Sequence, residues 1–123
     1  IAIAQAASAL AENSRREAGR PDAVRVACLK GLSAVGAEGR GTLDVLTREF
    51  ADATNSVEVR RAMATAMGDV SKGQAMPDDS FKVLLAALAD EDKELHTNSG
   101  YALGKATLTG AQALQVFVAQ RQE

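Results

Sequence analysis

Val59-Arg60-Arg61-Ala62-Met63-Ala64-Thr65-Ala66-Met67-Gly68-Asp69-Val70 is the stretch whose reading decides the fold. Val59, Ala62, Met63, Ala66, Met67 and Val70 fall at the i, i+3, i+4, i+7 spacing of a helix with one buried apolar stripe. The string returns upstream as Val24-Arg25-Val26-Ala27-Cys28-Leu29-Lys30-Gly31-Leu32-Ser33-Ala34-Val35. It returns downstream as Leu95-His96-Thr97-Asn98-Ser99-Gly100-Tyr101-Ala102-Leu103-Gly104-Lys105-Ala106. Copies spaced by roughly 35 residues predict a helical repeat array, in which no unit buries its apolar face alone.

The segments between the copies read as the partner helices. Residues 1 to about 12 carry Ile3, Ala7 and Leu10 on one face, followed by a polar connection and Pro21 at a first helical position. Gly36, Gly39 and Gly41 mark a loop, and Thr42 is placed to cap a helix bearing Leu43, Leu46 and Phe50. Asn55-Ser56-Val57-Glu58 and Thr109-Gly110-Ala111-Gln112 have capping-box spacing. Pro77-Asp78-Asp79-Ser80 opens a helix with Phe81, Leu84, Leu85 and Leu88 in full helical register, and Leu114, Phe117 and Val118 lie in a last helix. No alternating β-type run occurs. The expectation is seven helices, all-α, wound as a right-handed superhelix of about three and a half helix-turn-helix repeats. The repeats fall at about 1–36, 37–73 and 74–107, with a final helix over 108–123.

A length of 123 residues suits one domain. An apolar fraction of 46% with 24% charge excludes a disordered tail, and no run approaches the roughly 18–20 apolar residues of a membrane span. Aromatics make up 3% and Ala is abundant, so helices can approach closely in thin layers. A net charge of −2 gives no electrostatic pull toward nucleic acid or anionic lipid, and neither partner is expected. Cys28 is the only cysteine, which rules out a disulfide within the chain. At the place held by Met63 in the next copy, it reads as an inert buried thiol. The opening Ile1-Ala2-Ile3-Ala4 has no initiator Met or basic flank and reads as a trimmed fragment of a longer protein, or as a mature end.

The turn Leu88-Ala89-Asp90-Glu91-Asp92-Lys93-Glu94-Leu95-His96, with Ala102-Leu103-Gly104 after it, resembles a HEAT repeat. Val24-Arg25, Val59-Arg60 and Leu95-His96 hold that family's Val-Arg place. Gly31-Leu32-Ser33, Ala66-Met67-Gly68 and Ala102-Leu103-Gly104 hold its Ala-Leu-Gly place. The resemblance spans nearly the whole chain. It implies an α-solenoid, armadillo-like in shape. It also implies a ladder in which a turn Asp bonds the basic residue of the following helix. Arg25, Arg60, Asp90 and His96 are the ladder residues here. Gly19 stands at the first Asp place, Asp52 is two residues further from Arg60 than the pattern wants, and His96 replaces the usual Arg.

The resemblance also brings chemistry to weigh. HEAT-like deoxyhypusine hydroxylases hold iron on His-Glu pairs repeated over several units, whereas this chain has one His. HEAT-like DNA glycosylases need a basic groove and aromatic side chains, whereas Tyr101 is the sole Tyr and Trp is absent. Gly36 to Gly41 and Gly104-Lys105-Ala106-Thr107 lack phosphate-loop spacing and read as helix stops. The acidic runs at 78–79 and 90–92 read as helix caps. No catalytic, cofactor or metal residue is therefore assigned.

What remains is a surface. Outward rows of the second helices are read as Val26, Arg61, Thr97; Leu29, Ala64, Gly100; and Lys30, Thr65, Tyr101. The expectation is a non-catalytic protein-protein interaction scaffold that binds a partner protein, or another domain of its own chain, on the concave face. Leu29, Lys30, Arg61, Thr65, Thr97 and Tyr101 are its contact residues. The alternatives are a structural spacer in a longer multidomain protein, or a HEAT-like lyase or hydroxylase subunit whose catalytic residues lie elsewhere. Met67, Leu32 and Leu103 should share the core, and Asn98, in the place of Ala27 and Ala62, should be hydrogen-bonded. Weak self-association is expected through the solenoid ends, chiefly Ile1 to Leu10.

Overall fold

The structure, a computed structural model, describes residues 2–121. The chain is all-helical, 79% helix, with no strand among the described residues. Among the described residues seven α-helices run in order: α1 Ala2–Ser14, α2 Asp22–Val35, α3 Leu43–Ala51, α4 Val57–Val70, α5 Asp78–Ala87, α6 Lys93–Lys105 and α7 Gly110–Arg121. Helices α2, α4 and α6 pack in one row, and α1, α3, α5 and α7 follow one another in a second. Contacts of α1 with α2, α3 with α4 and α5 with α6 join the rows.

The apolar stripe of α4 explains its central place. Val59, Met63, Ala64, Ala66, Met67 and Val70 are all fully buried, because this helix is covered by α2 and α6 on its flanks and by α3 beneath. The expected core trio of Leu32, Met67 and Leu103 is buried as read. Gly68 sets the closest approach. A Cβ there would stand 2.5 Å from the Ala102 Cα, so α4 and α6 touch backbone to backbone at this level. In the other row, the Thr47 and Ser80 hydroxyls, both buried, meet at 2.7 Å and tie α3 to α5.

Helix ends follow local chemistry, with some departures from the sequence reading. Asp92 caps α6 by accepting from the Leu95 N–H at 2.8 Å, and Thr109 and Gln112 form the reciprocal box expected at α7. At α4 the cap is Ser56, which accepts from Val59 N–H, and not Asn55. Thr42 caps nothing: its hydroxyl donates to the Gly39 carbonyl at 2.7 Å, and residues Gly36–Thr42 continue as a 3-10 helix instead of a loop. Pro21 sits one place before α2, and Ile3 is 47% exposed where the core of α1 is Ala7, Ala11 and Ser14. The expectations placed on Ile1, Gln122 and Glu123 lie outside the described residues.

The residues read as a ladder bond as follows. Arg25, buried, donates from Nε to the Ser14 carbonyl at 2.9 Å and from Nη2 to Asn55 Oδ1 at 2.7 Å. Arg60 donates from Nε to the Phe50 carbonyl at 3.4 Å and reaches Asp90 at 3.8 Å, its guanidinium 4.8 Å from the Phe50 ring centre. His96 Nδ1 lies 2.6 Å from the Leu88 carbonyl. Each basic residue thus meets the carbonyl end of the helix before it. Arg25 and Arg60 also extend to the turn of the next unit. The expected pairing of a turn Asp with the basic residue of its own following helix is corrected at the second turn, where Asp52 and Arg60 each bond other partners. Asp90 reaches back to Arg60, while Asp52 is taken by Thr54 and lies 3.9 Å from Arg16.

Candidate interaction groove

A groove of about 390 Å³ crosses the α2, α4, α6 row. Val26, Lys30 and Ser33 of α2 form one wall, Glu58, Arg61, Ala62 and Thr65 of α4 the middle, and Glu94 and Asn98 of α6 the other wall. Each set follows i, i+3, i+4 or i+7 spacing, so one stripe from each helix faces the same side. Small side chains (Ser33, Ala62, Thr65) line much of it and charges project around them.

Arg61 is the fixed point. It donates from Nε to Asp92 Oδ2 at 2.8 Å, bonds Asp92 Oδ1 through Nη2, and has Glu94 at 3.9 Å. This fork ties α4 to the N-terminus of α6. The Arg61 fork, aided by the Leu95 N–H, lowers the Asp92 carboxyl to about 2. Asn98 is half-buried and donates to the Arg61 carbonyl at 3.1 Å. One helical turn on, Tyr101 donates to Asp69 Oδ1 at 2.9 Å, with the Lys105 ammonium 4.9 Å from its ring centre.

The expected contact residues separate. Lys30, Arg61 and Thr65 line the groove, and Tyr101, 44% exposed, extends its α6 stripe beyond Asn98. Leu29 does not belong to the surface. It is fully buried, and so is Ala64 in the same row. Thr97 faces a different hollow, shared with Leu88, Ala89, Asp90, Lys93 and His96. In α2 the core face is rotated by about one residue, or ~100°, from the reading, whereas α4 and α6 bury most of the positions read as core. In α2 the buried positions are Arg25, Leu29 and Leu32, leaving Val24 43% exposed and Cys28 half-buried. Ala62 and Asn98, read as core-facing, line the groove instead.

Glu58, Glu94, Ser33, Ala62 and Asn98 were not among the expected contact residues. For Glu58 and Glu94 a signal was present, since each stands seven residues before an expected contact residue (Thr65, Tyr101) on successive second helices; the sequence marks Ser33 and Ala62 by nothing comparable. Among the described residues no three His, Cys, Asp or Glu side chains converge on one point, and no helix is long and apolar enough to cross a membrane. No protein-family model, curated protein or solved structure matches this chain.

Proposed function

We propose that this chain is a HEAT-like α-solenoid, right-handed, that serves as a non-catalytic scaffold by binding a partner protein, or another domain of its own chain, along the α2, α4, α6 groove. The observation that carries the reading is the groove itself, which needs three successive second helices to exist. The alternation of the two helix rows and the repeated carbonyl-capping by Arg25, Arg60 and His96 support the solenoid assignment. The contact residues are Lys30, Arg61 and Thr65, with Glu58, Glu94, Asn98 and Tyr101 beside them. Arg61 is held rigid by Asp92 before any partner arrives, which limits the side-chain entropy lost on binding.

The mixture of Lys30 with Glu58 and Glu94 favours a partner segment carrying both signs of charge. Affinity capture from an extract of the source cells tests this, using wild-type chain beside Thr65→Arg and Lys30→Glu. A partner held by wild-type chain and lost with either variant is the expected result. Equal capture by all three chains would place binding elsewhere and overturn the proposal.

A further inference from the structure

The largest cluster of exposed apolar side chains lies on α7, away from the groove. Leu114 is 61% exposed, Phe117 55% and Val118 47%. Among the described residues, α1 contributes Ile3 to the exposed large apolar side chains. Leu114 and Val118 form a ridge along α7. On one flank is a hollow of about 400 Å³ lined by Leu85, Leu114, Gln115, Val118 and Ala119. Phe117 lies on the opposite flank, by the 100° step of the helix. One face therefore carries both a projecting ring and a hollow of apolar walls.

We propose that α7 is the contact of a two-fold homodimer of this chain. A two-fold axis running along α7 exchanges the flanks of the ridge, so Phe117 of each copy falls over the hollow of the other. Isologous contacts set one patch against the same patch of the other copy, and a face bearing one sign of charge would repel itself. Gly110 through Gln120 contain no charged residue, in a chain that is 24% charged. Arg121 stands at the edge, stacked 5.6 Å from the Phe117 ring centre, where it covers one face of the ring and leaves the other for a partner. The α2, α4, α6 groove belongs to the other row of helices and stays open in such a dimer.

Sedimentation equilibrium of the chain over about 1–500 μM tests the proposal. A monomer–dimer equilibrium is expected, with a dissociation constant on the order of 10–100 μM for so small a patch. Leu114→Glu and Phe117→Asp should each weaken it at least tenfold, and Ile3→Glu should leave it unchanged. These side chains are exposed, so the variants should fold, which circular dichroism melts check. A strict monomer at the highest concentration would overturn the proposal. So would loss of association with Ile3→Glu alone, or growth beyond the dimer, which marks an open head-to-tail contact.

Discussion

Asp92 shows how one side chain can serve two structures. It caps α6 and holds Arg61 of α4, and both bonds favour its charged form. Its folded value of about 2 lies below the roughly 3.9 of an unfolded Asp. The stability it supplies is therefore complete above about pH 4 and is lost as pH falls through the folded value. An NMR titration should place its midpoint near 2, and Arg61→Gln should move that midpoint up toward 3.9. Ser99 is the opposite case. Its hydroxyl is fully buried with no hydrogen-bond partner among the described residues. Ser99→Ala should raise stability by about 1 kcal/mol in a urea titration, since an unsatisfied buried hydroxyl costs about 1–3 kcal/mol. Arg25 was legible as a bonded residue from its place beside Val24. Its partners were not, because the Ser14 carbonyl and Asn55 come from two different turns.

At the scale of the helix, existence and order were readable, while rotation was not. A helix with the periodicity of Val59, Met63, Met67 and Val70 has one physical solution. Ala62 and Ala64 look alike in a sequence, yet one lines the groove and the other is core. Packing on three sides decides between them, and sequence spacing alone carries no record of those neighbours. The same step misplaced Leu29, which faces inward once α1 covers α2. Four substitutions test the packing. Gly68→Ala should destabilise by about 1–3 kcal/mol, because its Cβ would meet the Ala102 backbone. Gly104→Ala, in the same helix pair but with open space around it, should be neutral or stabilise by up to about 1 kcal/mol in thermal melts. Met67→Ala should cost about 2–5 kcal/mol. Thr65→Ala, in the groove, should stay within about 0.5 kcal/mol.

Over the whole molecule, the rows of helices place one row's outer face toward a groove and leave α7 at an apolar edge. The repeat period made the alternation of helices legible. The groove residues were half-legible: Lys30, Arg61 and Thr65 were read from their register, whereas Glu58, Glu94 and Asn98 depend on the rotation of α4 and α6. The central claim is that partner binding belongs to the α2, α4, α6 face. Placing a photo-crosslinking residue singly at Ser33, Thr65, Asn98, Ala9 or Lys82 and irradiating in an extract of the source cells tests it most directly. The account predicts one shared protein adduct from Ser33, Thr65 and Asn98 and none from Ala9 or Lys82. An adduct formed from Lys82 or Ala9, with the three groove positions silent, would contradict it.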